Sequence, residues 1–152
     1  MTATFSENYS MTEGAPSYPM DLQIPSDTAE ARRVQEAIEQ QLRSLHYTDK
    51  EIFSIRLALE EALVNAIKHG NQMDRSKRVR VAYRVAQERF DVLIADEGQG
   101  FDPRDVPDPT APENLERPCG RGLMLMRHYM TAVDYNRTGN AVSMSKLRNG
   151  AR

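Results

Sequence analysis

The sequence predicts an α+β sandwich in which helices cover one face of a β-sheet. Strand-like and helix-like segments follow in the order strand, helix, helix, two strands, long loop, helix, two strands, an order typical of this fold class. A chain of 152 residues is long enough for one domain with a hydrophobic core and too short for two comfortable ones. We therefore expect one domain over residues 17–150, preceded by a polar tail at residues 1–16 that we predict to be disordered.

The N-terminal half contains a predicted strand and two predicted helices. The segment MDLQIP from Met20 alternates briefly between polar and apolar residues, as a strand does, and it ends at a proline. Asp27 opens the helical segment DTAEARRVQEAIEQQLRSL, and Thr48 with Glu51 forms a capping-box pattern that opens a second helix. The second helix should end at HGN, where Gly70 favours the left-handed conformation of a helix C-cap.

Two hairpins and a third helix are predicted for the C-terminal half. RVRVAYRV alternates apolar and basic residues, and the short connection AQER leads into FDVLIAD, so these segments form a predicted hairpin. A long segment rich in proline and glycine follows Asp96, and loops of this length are usually functional or disordered. A short helix from about Arg121 and a final hairpin, AVDYNR–TGN–AVSMSKL, complete the predicted elements.

Composition and charge exclude several classes of protein. Charged residues make up 28% of the chain, the formal net charge is −2, and the longest basic block is RSKRVR, which argues against direct nucleic-acid binding. Cys119 is the only cysteine, so no disulfide framework is expected and a reducing compartment is favoured. The sequence has no apolar run of membrane-spanning length and no signal-peptide pattern. We therefore expect a cytoplasmic protein that does not bind a membrane.

An unusual polar face lies in the second helix, within EEALVNAIKHGN. At about 100° per residue, Asn65 lies about 40° from Glu61 and Lys68 about 20° to the other side, so the three share one narrow face. Leu57 and Val64 flank this face, which distinguishes it from an ordinary solvated surface. Burial of an unpaired amide costs roughly 2–7 kcal/mol, so these side chains need partners from the protein or from a ligand. The opposite side carries the apolar residues expected in the core: Ile52, Ile55, Leu59, Ala62, Leu63 and Ala66.

Two glycine-containing segments accompany this polar face. DEGQG places Asp96 at a strand end, followed by Gly98 and Gly100, which let the backbone turn and approach a bound group closely. GRGL places Gly120 and Gly122 at the start of a helix, where free N–H groups and the helix dipole favour an anion such as phosphate. Each segment alone is also compatible with an ordinary turn or loop. Their order and spacing together indicate a ligand site.

These segments resemble the three boxes of the GHKL superfamily of ATP-binding domains, which have the Bergerat fold. EEALVNAIKHGN resembles the N box, DEGQGF the G1 box and GRGLMLM the G2 box, and the segment between the last two corresponds to the ATP lid. The resemblance covers about residues 17–148 and is greatest to the small anti-sigma factor serine kinases. It implies a Bergerat-type two-layer sandwich with a mixed, mainly antiparallel sheet, helices on one face and a long ATP lid.

The resemblance implies a role for each polar residue. Asn65 would coordinate the Mg²⁺ that bridges the phosphates of ATP, and Glu61 would be the general base for the attacking hydroxyl. Asp96 would accept a hydrogen bond from the adenine amine. Lys68 corresponds to a position that contacts phosphate in histidine kinases, although the serine kinase group does not generally carry lysine there. The alternative for Lys68 is a side chain that simply extends to water.

The resemblance also implies roles for the glycines. Gly98 and Gly100 would let the backbone pass the base and ribose. Gly120 and Gly122 would offer N–H groups to the phosphates, whose charge Arg121 would help to neutralise. ATP and Mg²⁺ are therefore the implied cofactors, and most of the catalysis would come from positioning and charge neutralisation.

The function that this resemblance implies is an ATP-dependent protein serine/threonine kinase of the anti-sigma factor type. Such a kinase regulates transcription by partner switching: it binds a sigma factor and phosphorylates a STAS-type antagonist, the anti-anti-sigma protein, and some relatives form homodimers. One alternative is a nucleotide-dependent interaction module without phosphotransfer, which would not need Glu61. Another is the ATPase domain of a histidine kinase. That domain follows a helical hairpin with a phosphoacceptor histidine, and His46 lacks the acidic residue expected after such a histidine.

Overall fold

The structure is a computed structural model that describes residues 18–98 and 118–148, with side chains from residue 122 onward in the second range. The predicted tail, most of the predicted lid and Gly100 lie outside these residues. Each element expected from the sequence is found, although the third helix begins at Pro118 rather than at about Arg121. In chain order the elements are β1 (Met20–Pro25), α1 (Thr28–Ser44), α2 (Asp49–Val64), β2 (Arg78–Val85), β3 (Arg89–Ala95), α3 (Pro118–Tyr129), β4 (Ala132–Tyr135) and β5 (Ala141–Leu147).

The five strands within the described residues form one sheet in the order β1-β2-β3-β5-β4. Every strand pair in the described part of the chain is antiparallel, so the predicted α+β sandwich is confirmed with an antiparallel rather than a mixed sheet. Because Ala141 pairs with Ala95, the turn between β4 and β5 lies beside the end of β3. This non-local pairing places the turn next to Asp96.

The helices bury their apolar sides against one face of this sheet. All six residues of the apolar stripe predicted for the second helix are at most 4% exposed. Val79, Val81 and Tyr83 of β2 join the same core, as the two-residue period of a strand requires. Ala82 lies between them and belongs instead to a smaller cluster with Leu93 on the other sheet face. Each fully buried large apolar side chain contributes about 1.5–3 kcal/mol to stability.

Capping residues fix the start of α1 and α2. The Thr48 hydroxyl accepts a hydrogen bond from the Glu51 N–H at 3.1 Å, and the Glu51 carboxylate accepts one from the Thr48 N–H at 2.8 Å, which forms the predicted capping box. Asp27 accepts from the N–H of Ala29 at 2.8 Å and begins α1. Within residues 18–98 and 118–148, no helix combines the length and apolarity needed to cross a bilayer.

Candidate functional site

The second helix changes its hydrogen-bond pattern where the site begins. α2 ends as an α-helix at Val64 and continues as a π-helical turn over Asn65–Gly70. At its end the N–H of Asn71 donates to the carbonyl of Ala66 at 2.8 Å, which is an i to i+5 bond. A π turn holds one residue more than an α turn, so side chains after Asn65 leave the helical phase expected from the sequence.

The π turn places Asn65 and His69 in one pocket and leaves Lys68 outside it. The pocket, of about 160 Å³, lies between α2, the π turn, the end of β3 and the β4–β5 turn. Lys68 is exposed. The expectation that it shares a narrow face with Glu61 and Asn65 assumed an α-helical period, which the π turn over Asn65–Gly70 changes. A contact between Lys68 and phosphate stays a prediction. The pocket is lined by Ala62, Asn65, Ala66, His69, Gly70, Ile94, Asp96, Tyr135, Gly139, Asn140, Ala141 and Val142.

Asp96 brings a buried carboxylate to the wall of this pocket. Its residue is 8% exposed, and its Oδ1 accepts a hydrogen bond from the Gly98 N–H at 2.7 Å. Burial raises the pKa of Asp96 to about 6, while the Gly98 hydrogen bond and the charge of Lys77 partly oppose this increase. A carboxylate held among apolar neighbours such as Ile94 and Val142 favours a ligand that donates a hydrogen bond.

Two glycines allow the backbone to approach Asp96 closely. A Cβ at Gly70 would lie 2.3 Å from the carboxylate carbon of Asp96, and a Cβ at Gly98 would lie 2.1 Å from the carbonyl oxygen of Gly70. The predicted left-handed conformation of Gly70 is wrong, since the left-handed residues after the π turn are Gln72 and Met73, with φ of 53° and 59°. Gly70 is therefore required for space rather than for its backbone dihedral angle.

Glu61 lies against the N-terminal part of α3. A Cβ at Gly122 would be 2.8 Å from Glu61 Oε2 and 3.1 Å from Asn65 Nδ2, so the lack of a side chain lets α3 approach both residues. Burial, and secondarily the charge of Glu60, raises the pKa of Glu61, whereas His69 lowers it. A raised pKa makes a carboxylate a stronger proton acceptor. The arrangement therefore brings a carboxylate with a raised pKa and a side-chain amide to the start of one helix.

The start of α3 bears on both glycines of GRGL. Because the helix begins at Pro118, Gly120 lies in the first turn, where N–H groups lack helical acceptors, and Gly122 follows that turn. The contacts at Gly122 show that it permits close approach to Glu61 and Asn65, and its N–H contact with phosphate stays a prediction. The side chain of Arg121 and the whole of Gly100 are not among the described parts of the chain, so their roles stay predictions.

Sequence reasoning missed three residues of the site. His69 lines the pocket, although its place before a glycine is typical of an ordinary residue at a helix end. Asn71 and Asn140 are buried, with exposed fractions of 0% and 6%, and they bond to the backbone around Asp96. The HGN and TGN segments that contain these asparagines indicate only a helix end and a turn, so no local signal marks them.

A comparison with known families agrees with this geometry. The family model for the histidine kinase-like ATPase domain matches residues 24–146 of this chain. This chain belongs to the histidine kinase-like ATPase family. The matched region includes Glu61, Asn65 and Asp96, which the structure gathers around the pocket and the start of α3.

Two curated relatives of this ATPase domain are named for signalling functions. The serine-protein kinase RsbW of Bacillus subtilis is 34% identical over 113 residues, which cover 70% of this chain and 71% of that protein. The anti-sigma F factor of Clostridium perfringens is 28% identical over 114 residues, which cover 71% of this chain and 81% of that protein. The resemblance to the anti-sigma factor serine kinases within the GHKL superfamily is thereby confirmed.

A solved structure has the same fold. A chain from Mycobacterium tuberculosis that contains RsbU and RsbW domains superposes with a TM-score of 0.59 and 18% sequence identity. The match covers 91% of the present chain and 35% of that chain, so this ATPase domain spans about a third of the solved protein. At this identity the likeness establishes the fold alone, and it agrees with the Bergerat-type sandwich that the sequence predicted.

Proposed function

We propose that this chain is an ATP-dependent protein serine/threonine kinase of the anti-sigma factor type. The proposal rests on the position of Glu61, a half-buried carboxylate at the junction of α2 and α3 beside Asn65. A module that only bound nucleotide would have no need of a base with a raised pKa at that junction. Relatives named serine-protein kinases, at 27–34% identity, support the same activity.

The pocket would hold the adenine base of ATP. Asp96 would accept a hydrogen bond from the exocyclic amine, and apolar side chains such as Ile94 and Val142 would contact the ring. Pockets for small ligands typically combine apolar walls with a few fixed polar groups, as this one does. The close approach permitted by Gly70 and Gly98 keeps backbone, rather than side chains, next to the Asp96 carboxylate.

The residues present also fit Mg²⁺ held between protein and phosphate. The described residues contain no group of three or more acidic, histidine or cysteine side chains that could enclose an ion. Mg²⁺ commonly binds through one or two protein oxygens together with substrate phosphates and water. We assign the amide oxygen of Asn65 as the protein ligand. The bound ion would neutralise phosphate charge.

The phosphotransfer step would depend on Glu61 and on the start of α3. Glu61 would take the proton from the acceptor hydroxyl as that oxygen attacks, and burial favours this role because it raises the pKa of the carboxyl group. Gly120 would present its N–H to the phosphates from the first turn of α3, where the helix dipole favours negative charge. Proximity of the reactants and neutralisation of phosphate charge would supply the rest of the rate acceleration.

The acceptor that we propose is a small STAS-type anti-anti-sigma protein with a serine or threonine accessible to Glu61. A sigma factor is the second proposed partner, and the relative named anti-sigma F factor supports it. Partner switching of this kind would take place in the cytoplasm. The same family pattern allows a homodimer.

Phosphotransfer to a co-purifying protein tests the proposed function. The chain is purified from its native lysate with and without ATP, and the retained proteins are incubated with γ-labelled ATP and Mg²⁺, with EDTA as the control. We expect acid-stable label on a serine or threonine of one retained protein and no label with EDTA. Tight binding of ATP and partner without label would favour the interaction module, and acid-labile label would favour the histidine kinase alternative.

A further inference from the structure

The loop after β3 is held by hydrogen bonds to three successive backbone N–H groups. The N–H of Asp96 donates to the carbonyl oxygen of Asn140 at 2.9 Å, and the N–H of Glu97 donates to the side-chain oxygen of Asn71 at 2.8 Å. The N–H of Gly98 donates to Asp96 Oδ1 at 2.7 Å. Two asparagines from opposite sides of the site therefore fix the backbone on which the Asp96 carboxylate is mounted.

Asn140 ties this loop to the β4–β5 turn. Its side-chain oxygen accepts hydrogen bonds from Asn136 Nδ2 and Thr138 Oγ1, each at 2.8 Å. Its Nδ2 donates to the carbonyl oxygen of Gly98 at 3.4 Å, a long bond. Gly139, in the left-handed region at φ 76°, completes the turn. The amide of Asn140 thus orders the turn, while its backbone carbonyl holds Asp96.

Asn71 ties the same loop to β1 and β2, the strands on the side of β3 away from β5. Its Nδ2 donates to Ser26 Oγ at 2.9 Å and to the carbonyl oxygen of Arg78 at 3.0 Å, so both amide protons are used. With its oxygen engaged by Glu97 at 2.8 Å, the fully buried side chain joins the ends of β1 and β2 to the loop after β3.

The neutral character of both asparagines matters for the carboxylate between them. An arginine or lysine in either position would compete for the Asp96 carboxylate with a ligand that donates a hydrogen bond. The asparagine amides bind backbone groups and uncharged side chains instead. Among the described residues, Asp96 Oδ2 has no hydrogen-bond donor, which leaves it available to a ligand.

We propose that Asn71 and Asn140 form an amide clamp, a pair of positioning residues that fixes the Asp96 carboxylate for recognition of the exocyclic amine of adenine. The clamp determines base specificity through Asp96, and it does so without charge of its own. The inference rests on the proposed nucleotide site and goes beyond it. It assigns discrimination between purines to two residues that bind the backbone around Asp96, the residue that would contact the base.

Discrimination between two nucleotides tests the clamp. Affinities for ADP and for purine riboside 5′-diphosphate, which lacks the exocyclic amine, are measured by calorimetry with wild type, Asn140→Ala and Asn71→Ala. In the wild type we expect ADP to bind about tenfold or more tightly, the effect of one hydrogen bond to a charged group. In both variants that ratio should fall to within about threefold of unity, through weaker ADP binding and unchanged binding of the analogue. Asn71→Ala removes the acceptor of the Glu97 N–H. Asn140→Ala keeps the carbonyl that binds the Asp96 N–H but removes the side-chain bonds that order the turn carrying it.

Ser26→Ala is the matched control, because it removes a buried hydrogen bond of Asn71 at the end remote from Asp96. A merely structural role would make this variant lower discrimination as much as Asn71→Ala does, whereas the clamp predicts that it keeps the wild-type ratio. If Asn71→Ala fails to fold, Asn140→Asp is the further variant. It keeps an acceptor for Asn136 and Thr138, and it replaces the donor to the Gly98 carbonyl with a carboxylate whose negative charge would repel that oxygen.

The outcomes separate the clamp from the proposed function. A wild-type ratio retained in Asn140→Ala and Asn140→Asp would overturn the clamp and leave the nucleotide site intact. A wild type that binds both nucleotides equally would overturn the clamp together with the adenine assignment of Asp96. Phosphotransfer from ATP, measured separately, would still test the kinase function in that case.

Discussion

Replacing Asp96 with asparagine should strengthen the fold while weakening nucleotide binding. Burial raises the pKa of Asp96 to about 6 from 3.8, so the ionised carboxylate is disfavoured in the folded chain without ligand. The side-chain amide in Asp96→Asn would keep an oxygen that accepts from the Gly98 N–H and would remove the buried charge. Opposite effects on stability and affinity are expected of a residue kept for binding at the expense of stability.

The pKa gives the size of this effect. An increase from 3.8 to about 6 corresponds to about 3 kcal/mol against the ionised form in the folded state. The new amide N–H₂ group must fit beside Gly70, where space is tight, and this offsets part of the gain. We expect the free energy of unfolding of Asp96→Asn to exceed that of wild type by about 1–2 kcal/mol at neutral pH.

The pH dependence has a definite sign. Below pH 3.8 the carboxyl group of Asp96 is protonated in both states and carries no penalty. As the pH rises towards about 6, the unfolded chain loses the proton first, so wild-type stability falls and then levels off. The advantage of Asp96→Asn should therefore be larger at about pH 7.5 than at about pH 5, as measured by urea denaturation at both values.

Asp91→Asn provides the matched control for this measurement. Asp91 is also buried, at 2% exposure, but it pairs with Arg89 at 2.6 Å, so its loss should lower stability. ADP affinity should fall by about tenfold or more in Asp96→Asn and change little in Asp91→Asn. The reasoning would be refuted if both variants lowered stability to a similar extent with the same pH dependence.

Four further substitutions test the geometry of the site. Asn65→Ala should remove most of the Mg²⁺ enhancement of ATP affinity, as calorimetry with and without the ion would show, and undiminished enhancement would reduce Asn65 to an ordinary helix residue. His69→Ala should weaken ADP binding by roughly threefold to tenfold and Lys68→Ala by no more than about twofold, because His69 lines the pocket and Lys68 does not. A larger loss of affinity in Lys68→Ala than in His69→Ala would contradict this placement by the π turn. Gly70→Ala should destabilise the fold by about 1–3 kcal/mol in thermal or urea denaturation, since its Cβ would meet the Asp96 carboxylate; an unchanged midpoint would contradict that close approach.

Local sequence signals were sufficient for the elements and for part of the site. The apolar stripe of α2 followed from helical period, and burial of Ile55 and Leu59 at 0% exposure confirms it. The capping box of Thr48 and Glu51 depends on residues three apart, so it was also visible. Asp96 could be singled out because a charged residue followed a strand and preceded glycines. These features depend on neighbours in the chain.

The remaining features depend on contacts between distant segments. Nothing in NAIKHG marks a hydrogen bond from residue 71 to residue 66, so the displacement of Lys68 and the entry of His69 could not be derived from an α-helical period. The role of Asn140 requires that β5 pair with β3, which places a turn beside a strand end distant in sequence. Sequence reasoning on one chain could propose both hairpins but could not fix their order in the sheet.

Phosphotransfer by Glu61→Gln tests the central proposal most directly. The substitution keeps the shape of the side chain beside Gly122 and removes its basicity. With γ-labelled ATP and the acceptor protein under single-turnover conditions, we expect the rate of transfer to fall by roughly 10²–10⁴. ADP affinity should stay within about twofold of wild type, because the base acts on the acceptor hydroxyl. Transfer at the wild-type rate would contradict the assignment of Glu61 as the base.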